Sequence, residues 1–211
     1  MILYTYIFNF IKIYDIIYII IIISGSDDMK RCRWAENVEP VYQAYHDEKW
    51  GVPCHDDREL FAMLILESFH CGLSWLIILK KRSNFEKAFD NFDAEKMAEY
   101  GKDKIEELMN DTGIVRNRRK ITAAIGSAKA YLETVKEFGS FDNYIWHFTE
   151  GKTVKNTDEI FRDRSELSDK VAKDMKKRGF GFMGTVTVYS YLQAVGVIND
   201  HETTCYRYNE V

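Results

Sequence analysis

Proline, cysteine and any long alternation of polar and apolar residues are scarce in this 211-residue chain. The only prolines are Pro40 and Pro53, so helices can run without interruption beyond Pro53. Four cysteines are too few for a dense disulfide framework, which favours free thiols or metal ligands in a reducing compartment. No run alternates with period two for long enough to predict a sheet. The net charge of −4, taken over the whole chain, argues against a nucleic-acid partner.

Helical periodicity fills most of the chain after Met29. Hydrophobic residues make up 46% of the sequence, which argues against disorder and provides for a proper core. An apolar stripe with a 3.6-residue period runs over about five turns from Ile121 to Phe138 and predicts a long amphipathic helix. Further helices are predicted from near Asp57, from Trp75 to residues 80–82, after a capping box at Asp103–Glu106, over 167–175 and over 186–197. The sequence therefore predicts an all-α fold.

The first 28 residues differ from the rest. Residues 1–23 are mostly Ile, Tyr and Phe, but the longest uninterrupted apolar run is Ile16–Ile23, and a membrane span needs about 20 such residues. A secretory signal would need basic residues before its apolar core and a small-residue cleavage site after it. We favour translation from Met29, with a membrane or targeting segment and a docked helix as alternatives. The prediction is one cytoplasmic domain over residues 29–211.

Four residues near the two ends of this domain have the character of metal ligands. Cys32 and His46 lie 14 residues apart, and His201 and Cys205 are one helical turn apart more than 150 residues later. Two thiolates and two imidazoles fill the tetrahedron that Zn²⁺ prefers and leave no position for water. We therefore expect one structural zinc ion that clasps the ends together. Spacing alone leaves open that each is an ordinary core or surface residue.

Basic residues are concentrated in two short stretches despite the net negative charge. Residues 112–131 and 170–178 each carry five lysines and arginines, and the first stretch has no acidic residue. Gly113 opens the first stretch, and a glycine hairpin before a helix presents unpaired N–H groups to phosphate. This pattern favours a helix-hairpin-helix contact with DNA, while a solvated helix face is the alternative.

Several motifs occur in order along the chain and together carry a resemblance. They are Cys-Arg-Trp (32–34), Tyr-Gln-Ala-Tyr-His-Asp (42–47), Trp-Gly-Val-Pro (50–53), Leu-Glu-Ser-Phe-His-Cys-Gly-Leu-Ser-Trp (66–75), Ile-Leu-Lys-Lys-Arg (78–82), Gly-Ile-Val-Arg-Asn-Arg-Arg-Lys-Ile (113–121), Lys-Arg-Gly-Phe-Gly-Phe-Met-Gly (177–184) and Asn-Asp-His (199–201). From about Met29 to Cys205 the chain resembles the 3-methyladenine DNA glycosylase I family, the zinc-containing branch of the helix-hairpin-helix DNA glycosylases.

The resemblance implies an enzyme of base excision repair. Such an enzyme hydrolyses the N-glycosidic bond of 3-methyladenine in alkylated double-stranded DNA, holds the flipped base in an aromatic pocket and leaves an abasic site. The family also implies structural zinc on the four residues named above. Nothing in the sequence demands an oligomer or a protein partner, so a monomer is expected.

The resemblance also assigns roles to residues in the pocket and at the DNA. A cationic methylated base asks for π faces and a carboxylate. Glu67 is the one carboxylate expected to act on the base, either in bond cleavage or in recognition alone, and Tyr45 shares its hydrogen bonding. The expected aromatic pocket residues are Trp34, Tyr42, Tyr45, Trp50 and Trp75. The expected DNA contacts are Leu73 as a wedge, Gly113, Arg116, Arg118 and Lys120.

Two departures from the family pattern stand out. No convincing aspartate follows the hairpin to support a sugar cation, because Asp142 is too far along the chain. His70 and Cys71 stand where an amide side chain and an alanine are commoner, although nothing nearby completes a metal site with them. Cys54 and His55 are taken as non-ligands. Two rival interpretations are a DNA-binding module without catalysis and a membrane-anchored thiol protein.

Overall fold

The computed structural model describes residues 30–158 and 160–211. The apolar extension, residues 1–28, lies outside the described residues, so its predicted nature and the domain boundary remain predictions. In the part of the chain that is described, no helix is long and apolar enough to cross a membrane.

Nine α-helices account for most of the described residues. They are α1 (Pro40–Glu48), α2 (Asp57–His70), α3 (Trp75–Ala88), α4 (Ala94–Ala98), α5 (Lys102–Asn110), α6 (Arg118–Phe138), α7 (Phe141–Trp146), α8 (Glu166–Arg178) and α9 (Thr185–Ala194). A two-residue parallel pair joins β1 (Val154–Lys155) to β2 (Ile198–Asn199). The predicted all-α class is confirmed.

Helix α2 is the central element and positions the site. Every residue from Leu60 to Phe69 is buried, which is the pattern of a helix surrounded by others on all sides. It packs against α3, α6, α7 and α9. Asp56 begins the helix by accepting a hydrogen bond from the backbone N–H of Glu59 at 2.7 Å, the usual role of an N-terminal cap. The last turn carries Glu67 and His70 toward the surface.

The long helix α6 confirms the predicted apolar stripe. Asn117 begins it by accepting from the N–H of Lys120, and Gly139 ends it with a φ of 83°. Ile121, Ala124 and Ala128 are buried along its inner face, as a 3.6-residue period requires.

Two sequence-based boundaries are wrong. Helix α5 begins at Lys102 after Gly101, so Asp103 lies inside the first turn and forms no side-chain cap. Its charge still complements the positive end of the helix. Helix α3 continues beyond residues 80–82 to Ala88, because Phe85 and Ala88 extend its buried face past the exposed basic residues.

The two ends of the described chain are joined by backbone hydrogen bonds. The N–H of Tyr206 donates to the carbonyl of Lys30 at 2.9 Å, and the N–H of Gly51 donates to that of Gln193 at 3.0 Å. The tight turn at Gly196 (φ 75°) sends the chain from α9 into β2 directly against residues 52 and 53. This closure brings the N- and C-terminal motifs into one place.

We expect Gly196→Ala to unfold the protein at a lower temperature, with a loss of at least about 3 kcal/mol. An added Cβ would lie 2.4 Å from backbone atoms of Val52 and Pro53, and the positive φ is itself unfavourable for alanine. Gly126→Ala is the control, since nothing lies within 4 Å of its Cβ position in α6, and it should gain about 0.5–1 kcal/mol. Equal melting temperatures for the two variants in calorimetry would contradict the close approach.

Candidate functional site

The predicted ligand residues converge on one buried cluster. Side-chain donor atoms of Cys32, His46, His201 and Cys205 all lie within 4.8 Å of one another. Cys32 precedes a short 3₁₀ turn, His46 lies in the last turn of α1, and the other two follow β2. The contact between the two chain ends brings Cys32 and His46 next to His201 and Cys205.

The distances within the cluster suit a tetrahedral cation. Cys32 Sγ lies 3.4 Å from His201 Nδ1, while Cys205 Sγ lies 3.5 Å from His46 Nε2 and 3.6 Å from His201 Nδ1. Ligand bonds of about 2.3 Å to sulfur and about 2.0 Å to nitrogen would separate neighbouring donors around a tetrahedral ion by about 3.5 Å. The four residues are therefore compatible with a metal site.

The outer partners of both imidazoles leave the inner nitrogens free to bind a cation. His201 Nε2 lies 3.1 Å from the carbonyl oxygen of Trp50 and His46 Nδ1 lies 2.8 Å from Asp47 Oδ1. Each outer nitrogen therefore carries the hydrogen, and the inner nitrogen presents its lone pair. Although partial burial opposes ionisation, hydrogen bonds from Arg31, His46 and Tyr206 lower the pKa of Asp47 to about 2.

The surroundings of the two thiols also affect how readily each becomes the thiolate that binds a cation. A hydrogen bond to Cys205 and burial raise the pKa of Cys32, and the same bond lowers the pKa of Cys205. The two shifts favour the proton on Cys32 and the thiolate on Cys205. The backbone N–H of Glu202 points at Cys32 Sγ from 3.3 Å, a contact that favours thiolate over thiol.

A cavity of about 400 Å³ opens beside this cluster and contains the predicted pocket residues. Its wall includes all six of them: Trp34, Tyr42, Tyr45, Trp50, Glu67 and Trp75. The rings are in contact, with centroids 4.9 Å apart for Trp34 and Trp50 and 5.4 Å apart for Tyr45 and Trp75. The Nε1 atom of Trp75 is buried without a hydrogen-bond partner among the described residues. The cavity thus offers flat apolar faces and one unused donor.

Glu67 is the buried carboxylate of this cavity, at 2% exposed. The other carboxylates that line it are less buried: Asp158, Asp163, Asp200 and Glu202. Burial raises its pKa, and a hydrogen bond with His70 Nδ1, 3.0 Å from Glu67 Oε2, partly offsets that rise. Burial and the charge of Glu67 likewise raise the pKa of Tyr45, which keeps its phenol protonated as a donor. A planar ligand with hydrogen-bond donors or positive charge fits this arrangement.

The far wall of the cavity contains residues that sequence reasoning missed. Ile160 and Phe161 line it and are 63% and 93% exposed, and Val186 on α9 lines it at 48%. The signal was an apolar pair, Ile160 and Phe161, in a run of charged loop residues. Such exposed side chains at a cavity mouth indicate a contact surface.

Some of the predicted DNA contacts are exposed, and some already form hydrogen bonds within the protein. Leu73 is 38% exposed in the turn between α2 and α3, and Arg116 is exposed in the hairpin. Arg118 is also exposed, but its guanidinium forms two hydrogen bonds with Glu106 at 2.6 and 2.8 Å. Gly113 lies in the turn, where its N–H donates to the side chain of Asp111 at 2.7 Å.

Lys120 has a different environment from the other basic residues of the hairpin. It is 6% exposed, and its Nζ donates to the carbonyls of Phe69 at 2.8 Å and Cys71 at 2.6 Å. These are unpaired carbonyls at the C-terminal end of α2, where a cation is favourable. Contact of Lys120 with DNA remains a prediction, but its ammonium group already links the hairpin helix to the turn that carries Leu73.

A buried carboxylate in an aromatic cavity and a basic hairpin that opens a helix are the features expected of a DNA glycosylase. The family model described as methyladenine glycosylase matches residues 34–208. The chain belongs to the 3-methyladenine DNA glycosylase I family, and it is a glycosylase enzyme.

Named relatives cover nearly the whole described chain. DNA-3-methyladenine glycosylase 1 of Escherichia coli is 42% identical over 84% of this chain and 96% of that protein. DNA-3-methyladenine glycosylase of Haemophilus influenzae is 37% identical over 83% of this chain and 96% of that protein. A structure of 3-methyladenine DNA glycosylase I from Staphylococcus aureus, described as giving the structural basis of 3-methyladenine recognition, superposes with a TM-score of 0.81. The two sequences are 38% identical, and the match covers 85% of this chain and 97% of that chain.

We expect Cys205→Ser to lose bound metal and to unfold at a markedly lower temperature, because a closed ligand set contributes directly to folding. Elemental analysis and thermal melting, each with and without chelator, measure both effects. Cys71→Ser is the control, since Cys71 is an exposed free thiol outside the cluster. A Cys205→Ser protein that keeps its metal and melts with the control would show that the cluster binds no ion.

Proposed function

We propose that the protein releases 3-methyladenine from alkylated double-stranded DNA and leaves an abasic site. The single observation that carries the proposal is the buried carboxylate of Glu67 within a cavity walled by Trp34, Tyr45 and Trp75. The relatives named above act on 3-methyladenine by name, and a 37% identical relative with a TM-score of 0.81 has been solved in complex with that base.

The chemistry of the substrate explains why one carboxylate and several rings are enough. Methylation at N3 makes adenine cationic, so the glycosidic bond is weak and the base leaves as a neutral molecule. The demand on the protein is therefore to extrude the nucleotide and hold the damaged base in place. A normal adenine lacks the positive charge, and it would gain less from a desolvated anion.

In the proposed recognition, Glu67 and Tyr45 hydrogen-bond the extruded base and Trp75 stacks on it. Trp34 lies beside the base, and Tyr42 and Trp50 complete the aromatic wall. Because Nε1–H lies in the plane of the indole, a base stacked on Trp75 would be held by the face of the ring and not by this donor.

The cluster at the chain ends is proposed to hold one structural Zn²⁺. Cys32, His46, His201 and Cys205 would provide all four ligands, so the ion would stabilise the fold and would bind neither water nor substrate. The backbone carbonyl of Trp50 accepts a hydrogen bond from His201 Nε2, and the Trp50 ring lines the cavity. The cluster therefore supports one wall of the pocket.

The hairpin is the proposed contact with the DNA backbone. Arg116 and Arg118 are exposed there, and Gly113 permits the turn: a Cβ at this position would lie 2.9 Å from Asp111 Oδ1. Leu73 is proposed to fill the space left by the extruded nucleotide. Its turn is tied to the hairpin helix through Lys120, so both contacts would meet DNA as one surface.

Glu67→Gln should reduce base release by at least about tenfold while leaving the fold no less stable. Burial raises the pKa of this carboxyl, so the charged form opposes folding at neutral pH and is relieved by the neutral amide. Chromatography of bases freed from methylated DNA, beside thermal melting, measures both quantities. Glu133→Gln is the control, because Glu133 is an exposed glutamate paired with Lys136 on α6.

Two results would contradict the proposed function or the role of Glu67. Wild-type protein that frees no 3-methyladenine while binding DNA would make the protein a DNA-binding module without catalysis. Glu67→Gln protein that works as well as Glu133→Gln would remove the carboxylate from recognition.

Arg116→Ala should weaken binding to undamaged duplex DNA. It should also lower the salt slope, which is the slope of log binding constant against log salt concentration, by about one. Arg118→Ala should cost less, because Glu106 already neutralises that guanidinium. Lys136→Ala at the opposite end of α6 is the matched control and should leave the slope unchanged. Binding isotherms at several salt concentrations provide the measurement. Arg116→Ala and Lys136→Ala proteins with the same slope would exclude the hairpin from the interface.

A further inference from the structure

His70 occupies the last position of α2, one turn after Glu67, and contacts two walls of the cavity. Its Nδ1 atom lies 3.0 Å from Glu67 Oε2. Its ring meets Trp75 edge to face, with centroids 5.2 Å apart and planes at 64°. The side chain is 29% exposed and lines the cavity itself. It therefore stands between the buried anion and solvent.

We propose that His70 is a positioning residue that orients Glu67 for recognition of the damaged base. The proposal rests on the proposed function, since it presupposes that Glu67 receives the base. Among residues 30–158 and 160–211, the structure gives the Glu67 carboxylate one hydrogen-bonding side chain, and it is His70.

The hydrogen bond restricts a side chain that would otherwise be free to turn. A glutamate has three rotatable bonds, and a buried carboxylate without a donor is unfavourable. By donating Nδ1–H to Oε2, His70 occupies one carboxylate oxygen and leaves Oε1 to face the base. Contact with Trp75 holds the imidazole in turn. The donor is therefore positioned from two sides, which is how a binding group is preorganised.

Two variants separate the donor from the ring. His70→Asn keeps a donor close to the position of Nδ1 and loses the ring. His70→Phe keeps the ring against Trp75 and loses the donor. The full chain is assayed at neutral pH for release of 3-methyladenine from methylated DNA, with KM and kcat separated and thermal melts run in parallel.

At neutral pH we expect His70→Phe to raise KM about tenfold, the effect of losing a charge-assisted hydrogen bond, with a smaller change in kcat. His70→Asn should stay within about threefold of wild type, because it retains the donor.

Two results would overturn the inference. His70→Phe with the KM of wild type would make the contact an ordinary pair at a helix end, whether or not the melting temperature falls. His70→Asn as impaired as His70→Phe would show that the ring matters and the donor does not. Wild-type protein without base release overturns the proposed function instead, and this inference with it.

Discussion

A carboxylate withdrawn almost completely from water is the constraint on which the rest of this molecule depends. Glu67 is held at the end of a helix whose preceding residues are buried on every side, so the chain cannot move it to solvent without disturbing the core. Its raised pKa means that the charged form lowers stability at neutral pH. Such a cost is typical of a binding group that is kept for function and supported elsewhere.

Part of that support comes from the cluster at the chain ends. Trp34 lies edge to face with His46 at 5.1 Å between ring centroids, and Trp50 meets His201 in the same way at 4.5 Å. These two tryptophans also line the cavity. Each tryptophan ring therefore contacts a histidine of the cluster and also lines the pocket. A closed ligand set would restrict both rings without taking part in the chemistry, which is the action of an outer shell on a binding site.

The sequence was sufficient where the signal is local or the residue type is rare. The stripe from Ile121 to Phe138 predicts its helix because the period is set within one element, and the four residues of the cluster were found because Cys and His are uncommon. The carbonyl partners of the Lys120 ammonium could not be found in this way, since they depend on how α2 and α6 cross. Phe161 was missed because its exposure at a cavity mouth is a property of tertiary structure.

Lys120 shows how the fold joins two tasks that are far apart in sequence. It stands in the first turn of α6, directly after the hairpin, and bonds to carbonyls at the end of α2. Burial lowers its pKa, but the helix end offers a partial negative charge that favours the ammonium form. The start of one helix is thereby fastened to the end of the other. The hairpin proposed to bind phosphate is then held in register with Glu67, and rigid helices rather than loops set the distance between the proposed backbone contact and the proposed base contact.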